Sequence, residues 1–113
     1  SPFRYELCLV SDTSPDPSPR DMAESAKAAA GYLKTLAHEG RLMILCHLGQ
    51  GEMSVGALEE TLGIRQAAVS QMLARLRDEG LVVTRREGRT IYYSLADERT
   101  QRMIGLLYEY YCS

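Results

Sequence analysis

The chain has 113 residues, 45% of them hydrophobic and 25% charged, with a formal net charge of −2. Those proportions suit one small soluble domain, and no apolar run reaches the roughly 18 residues that a membrane span needs. No basic-then-apolar leader opens the chain, and three cysteines without a CxxC are too sparse for a disulfide-built scaffold, so a cytoplasmic protein is expected. An acidic total argues weakly against nucleic acid, but its placement matters more. Between Arg65 and Arg89 stand six arginines (65, 75, 77, 85, 86 and 89) against Asp78, Glu79 and Glu87, a segment of +3 that leaves −5 elsewhere. An acidic body with one basic stripe can steer DNA to a single face.

In chain order, SDTSPDPSP over 11–19 holds three prolines and almost nothing apolar. Residues 1–19 therefore read as a flexible N-terminal arm, with Cys8 incidental in it, and residues 20–113 as one folded domain. From Asp21, placed to cap or complement a helix start, Met22, Ala26, Ala29, Tyr32, Leu33 and Leu36 recur near helical spacing. His38-Glu39-Gly40 interrupts this pattern, with His38 read as ending or beginning a helix rather than binding metal. RLMILCHL follows as a second, short and strongly apolar helix that must lie near the centre of the core. Ser54 caps VGALEETLG, whose Val55, Leu58 and Leu62 form one face and whose Gly63 suits a helix C-terminus. After Ile64, RQAAVSQMLARLRDEG turns Val69, Met72, Leu73 and Leu76 inward and ends at Gly80. Two helices joined by a tight Gly-containing turn make a helix-turn-helix. LVVTRREGRTIYYSL reads as a β-hairpin turning at Glu87-Gly88. ADERTQRMIGLLYEYYC then reads as a closing helix, with Asp97 near its start and Met103, Ile104, Leu107, Tyr108 and Tyr111 at helical spacing.

The expected fold is mainly α with a β-hairpin: four helices, a two-stranded hairpin and a last helix, the order of a winged helix-turn-helix. On the fourth helix Gln66, Ser70, Gln71 and Arg75 lie opposite the apolar face, beside the small Ala67 and Ala74 that allow close groove approach. Glutamine can read adenine through two hydrogen bonds, and serine can reach a base or a phosphate. In the wing, Arg85, Arg86 and Arg89 are candidates for phosphate, Arg89 foremost as nearest the tip. A solvated helix face and a solvated hairpin are the plainer alternatives. Tyr92 and Tyr93 alternate faces, one toward the core and one outward. No phosphate loop, no nucleophile with base and orienter, and no metal triad is present, so an enzyme is not expected and no cofactor is called for.

Over about residues 21–112 the chain resembles the ArsR/SmtB family of bacterial repressors, in LKTLAHEGRLMILCHL, SVGALEETLGIRQAAVSQMLARLRDEGLV and TRREGRTIYYSL. The resemblance implies a homodimer joined through the first and last helices, with the fourth helix in the major groove of operator DNA. Arg65 stands where many members carry a capping serine, and would trade the cap for a phosphate contact. The chain departs from the family's metal-sensing members: ILCHL has one cysteine rather than a Cys-x-Cys pair, and the last helix has no histidine. A tight zinc site needs about four N or S ligands. The single cysteine of ILCHLGQGEMSVG and that of LLYEYYC instead resemble the persulfide-responsive, SqrR/BigR-like subgroup. There the resemblance implies that Cys46 and Cys112 react with persulfide, form a polysulfide bridge within the subunit and release DNA. Taken alone, Cys46 reads as well as a small buried hydrophobe of a core helix, and neither cysteine's position accounts for an activated thiolate. Tyr108, Tyr110 and Tyr111 are expected to pack the dimer interface and surround Cys112. The rival readings are a metal-sensing repressor of the same fold and a winged helix that binds only protein.

Overall fold

The computed structural model describes residues 19–112. The arm expected over residues 1–19, Cys8 included, lies outside the described residues except for Pro19 itself. Contacts divide the chain after Gly31, with Tyr32–Ser113 as the larger unit. Helix α1 (Pro19–Leu36) opens two residues before Asp21, which places that carboxylate inside the first turn and not at the N-cap. An acid there still complements the positive end of the helix dipole.

The apolar RLMILCHL lies within helix α2 (Glu39–Leu48), as expected. His38 is its N-cap: Nδ1 accepts from the Arg41 N–H at 3.2 Å, and Arg41 Nε donates to the Thr35 carbonyl at 2.9 Å, tying the end of α1 to the start of α2. Ile44 and Leu45 are wholly buried and Leu48 nearly so. Helix α3 (Val55–Leu62) is capped by Ser54, whose Oγ accepts from the Ala57 N–H at 3.1 Å. It stops at Gly63, whose φ of 68° is a left-handed conformation that glycine takes without steric cost. Helix α4 (Gln66–Asp78) buries Val69, Leu73 and Leu76 completely, as its apolar spacing requires.

The sheet has one strand more than the expected hairpin. β1 (Met53–Ser54), β2 (Val82–Glu87) and β3 (Thr90–Leu95) form an antiparallel sheet in the order β1-β3-β2. β1 pairs Met53 with Tyr93 and Ser54 with Tyr92, and two residues are too few to show the alternation that marks a strand. The turn also falls one residue later than expected. Glu87 pairs with Thr90, so the loop is Gly88-Arg89, with positive φ only at Gly88. Glycine at the first of two loop positions is what a type II′ hairpin turn prefers. Helix α5 (Glu98–Tyr111) begins at Asp97, whose carboxylate accepts from the Thr100 N–H at 2.9 Å, and Tyr32 OH reaches Thr100 Oγ1 at 3.2 Å. One core joins the elements: Leu36, Ile44, Leu45, Leu58, Leu73 and Ile104 are among its buried members. No helix among the described residues is long and apolar enough to cross a membrane.

The Asp97 cap carries a pH signature. Hydrogen bonds from Thr100 hold the Asp97 carboxyl below its ordinary value of 3.8. A depressed folded-state value means stability present above about 3.8 and lost as pH falls through the folded value. Thermal melts from pH 7 to pH 3 are expected to show a smaller acid loss in Asp97→Asn, which can still accept the capping bond, than in the parent. Identical slopes would show that Asp97 makes no such contribution.

Candidate nucleic-acid interface and thiol pair

The α3–Gly63–α4 turn presents α4 edge-on. Ile64 packs on the core while Arg65, the N-cap of α4, makes no side-chain capping bond. The N–H groups of the first turn are thereby left for another acceptor, and a helix N-terminus attracts phosphate. Gln66, Ala67, Ser70, Gln71, Ala74 and Arg75 are all exposed, opposite the buried Val69, Leu73 and Leu76. Among the described residues Gln66, Ser70 and Gln71 have no side-chain hydrogen-bond partner, so their polar atoms face solvent. Arg75 pairs with Glu79, Nε to Oε1 at 3.3 Å, one turn along the same helix. Both side chains are nearly half exposed, and such a pair exchanges readily for another anion.

The three wing arginines differ sharply. Arg89 sits in the two-residue tip, exposed and without a partner among the described residues. Arg86 turns Nε onto the Gly88 carbonyl at 3.2 Å and remains exposed. Arg85 is exposed but engaged through every guanidinium nitrogen: it grips Glu52 with Nε and Nη2, donates from Nη1 to Glu87 at 2.7 Å and lies over the Tyr92 ring. Tyr92 is thus the outward tyrosine, beneath Arg85, while Tyr93 packs on the core. Glu52 is the residue that sequence reasoning missed. It stands 33 positions from Arg85, and no local pattern distinguishes it from any loop glutamate.

At the other side of α2 lie two thiols. Cys46 is half-buried against the core, Cys112 is exposed at the C-cap of α5, and both are unbridged. Burial pushes the Cys46 thiol up from its ordinary 9.0, and the negative charge of a Cys112 thiolate pushes it further. The packing of α2 on α5 accounts for this: Ile104 of α5 lies 3.4 Å from where a side chain at Gly49 would begin. Tyr108, Tyr110 and Tyr111 are exposed around this end of α5. Among the described residues no three His, Cys, Asp or Glu side chains are grouped to hold a metal ion.

Residues 38–84 match the family described as "Bacterial regulatory protein, arsR family". The chain is 50% identical over 92 residues to the biofilm growth-associated repressor of Agrobacterium fabrum, covering 81% of this chain and 79% of that one. Among solved structures it is similar to the transcriptional repressor BigR from Xylella fastidiosa, with a TM-score of 0.77 and 42% identity over 84% of this chain and 94% of that one. It is likewise similar to reduced HlyU from Vibrio cholerae, with a TM-score of 0.80 and 44% identity over 83% and 99% of the two chains.

The thiol environments predict an order of labelling. Thiolate, not thiol, is the nucleophile, so iodoacetamide at neutral pH is expected to modify exposed Cys112 before half-buried Cys46, as peptide mass mapping would show. In Cys112→Ser the pH midpoint for labelling Cys46 should fall, because one of the two influences raising it is gone, yet stay above the ordinary value because burial remains. A midpoint that does not move would mean that the two sulfurs do not sense each other.

Proposed function

The chain belongs to the arsR family of bacterial regulatory proteins and is a DNA-binding transcriptional regulator rather than an enzyme, and we propose that it is a homodimeric repressor whose hold on operator DNA is broken by persulfide acting on Cys46 and Cys112. The observation that carries the DNA half is the exposed polar face of α4, where Gln66, Ser70 and Gln71 have no side-chain partner among the described residues, followed by a wing whose tip carries Arg89, likewise without one. Gln66, Ser70 and Gln71 are the base-edge candidates, with Arg65, Arg75, Arg86 and Arg89 on phosphate. Dimerisation is supported by apolar surface that one subunit leaves uncovered: Leu33 on α1 and Leu106, Tyr108, Tyr110 and Tyr111 on α5. Leu107, by contrast, packs on its own core. The site of action is the cytoplasm, on double-stranded DNA.

The packing of α5 on α2, with Cys112 at the end of one helix and Cys46 within the other, both unbridged and electrostatically coupled, supports the switch. A persulfide RSSH can deliver sulfur to one cysteine, leaving as RSH. A second can accept the two electrons that bridging removes, leaving as RSH and hydrogen sulfide, so that Cys–S–S–S–Cys forms with no other oxidant. Longer bridges consume one more persulfide per sulfur. Such a bridge ties α5 to α2, and α2 packs directly on α4. A shift in α4 misfits both half-sites of a dimer, and each 1.4 kcal/mol lost is about tenfold in affinity. One similar structure, that of HlyU from Vibrio cholerae, is specified as the reduced form, which is in keeping with a redox-dependent reading.

Binding measurements on an operator fragment test the DNA contacts. Gln71→Ala is expected to weaken binding by ~1–3 kcal/mol and relax base preference at particular positions. Arg89→Ala should weaken all sequences alike and flatten the slope of log affinity against log salt by about one unit. Parental behaviour in both variants would overturn the placement of α4 and the wing on DNA.

The switch has its own test, in which persulfide is added to preformed protein–DNA complexes. Cys46→Ser and Cys112→Ser should each stay bound, whereas Cys8→Ser should release like the parent. Intact mass should show added sulfur retained as a bridge in the parent and in Cys8→Ser, and in neither single variant at 46 or 112. Release by either single variant at 46 or 112 would remove the thiol pair from the mechanism.

A further inference from the structure

Arg85 occupies a place in the sheet from which it can join three elements. It lies opposite Tyr92 of β3, and Tyr92 in turn lies opposite Ser54 of β1. Its guanidinium rests over the Tyr92 ring, 4.8 Å from the centroid. From that platform Nε reaches Glu52 Oε2 at 3.2 Å, Nη2 reaches Glu52 Oε1, and Nη1 reaches Glu87 Oε2 at 2.7 Å. Glu52 ends the short loop that leaves α2 and precedes β1. The arginine therefore bridges the whole width of the sheet, from the wing strand to the segment leaving α2.

We propose that Arg85 is a positioning residue that clamps the wing to the end of α2 through Glu52, and that its guanidinium does not contact phosphate when DNA is bound. The inference rests on the wing being a DNA-binding surface. Three observations carry it. Every nitrogen of the guanidinium already donates to a carboxylate. The group Glu52–Arg85–Glu87 bears a net charge of −1, so a phosphate approaching it meets repulsion, whereas Arg89 at the tip is uncompensated. Isolated surface ion pairs hold little, but a two-pronged arginine–carboxylate contact within a network is the exception, and here the cation also stacks on an aromatic ring. The strength of the clamp bounds its effect. If it selects the binding-competent wing pose, losing it lowers affinity by no more than the factor by which that pose is depopulated, about two- to fivefold for a clamp of this kind.

The two roles predict opposite signs at Glu52. If Arg85 positions the wing, Glu52→Gln weakens binding two- to fivefold, although removing an acidic charge would by itself favour a polyanion. If Arg85 serves phosphate, the same substitution frees it and tightens binding. Operator affinity is therefore measured across a range of salt for the parent, Glu52→Gln, Arg85→Ala, Arg85→Lys, the Glu52→Gln/Arg85→Ala double variant and Arg89→Ala, with thermal melts to confirm folding. The expected results are weaker binding in Glu52→Gln and Arg85→Ala at the parental salt slope, and a double variant no worse than the weaker single because both remove one interaction. Arg85→Lys should fail to rescue, since an ammonium keeps the charge but cannot make the fork. Tighter binding by Glu52→Gln, a slope flattened by about one unit in Arg85→Ala, or full rescue by Lys would each overturn the proposal. Arg89→Ala separates this failure from a more general one: if it too binds with parental affinity and slope, the wing is not on DNA and the clamp falls with that reading.

Discussion

Ile44 and Leu45 have no exposure to solvent, and the helix that carries them touches α3, α4, α5 and β3. So apolar a helix has no stable place at the surface, and each neighbour is positioned by covering one of its sides. Helix α4 packs on it, with Leu73 and Leu76 in the same buried core and Met72 close to Gly40 at the start of α2. The thiol of Cys46 is half-buried because it belongs to the same helix. The loop that delivers Glu52 to the wing is the exit from that helix. Packing interiors are close to crystalline in density and pass on displacement rather than absorb it. A single buried element therefore packs on α4, leads into the loop that meets the wing, and carries Cys46.

Charge is distributed by partnership as much as by count. The +3 stretch that marks the basic side of the molecule contains Arg75, balanced by Glu79, and Arg85, balanced twice over. Among the described residues, the arginines of this stretch left without a carboxylate partner are Arg65 at the start of α4, Arg77 in its last turn, and Arg86 and Arg89 in the wing. Cations held at separate points fix orientation on a polyanion, because each requires its own phosphate.

Most of the architecture was legible where local physics decides it. Ser54, Gly63 and Asp97 act at helix ends through their own backbone neighbours, and the inward faces of α3 and α4 follow from spacing alone. What escaped depends on partners distant in sequence. β1 exists only because Tyr92 and Tyr93 offer it a ladder. The hairpin turns at Gly88-Arg89 and not Glu87-Gly88 because cross-strand register, not composition, selects which residues are left over. Arg85 looked like its neighbours Arg86 and Arg89 because its partner sits in another loop. Met103, Ile104 and Leu107 pack on the core as their helical spacing suggests, whereas Tyr108 and Tyr111 at the same spacing are exposed, a difference that only packing shows.

The strand order leaves β2 at one side of the sheet, with no further strand beside it among the described residues. An open strand edge is a template on which a second chain can add, and proteins guard such edges with charge. β2 reads VVTRRE: its outer half is exposed and ends in Arg85, Arg86 and Glu87. Two such edges brought together would set arginines against one another before backbone bonds could form. The charges of the wing therefore also protect against self-templated polymerisation, and exchanging them for apolar strand formers would endanger solubility.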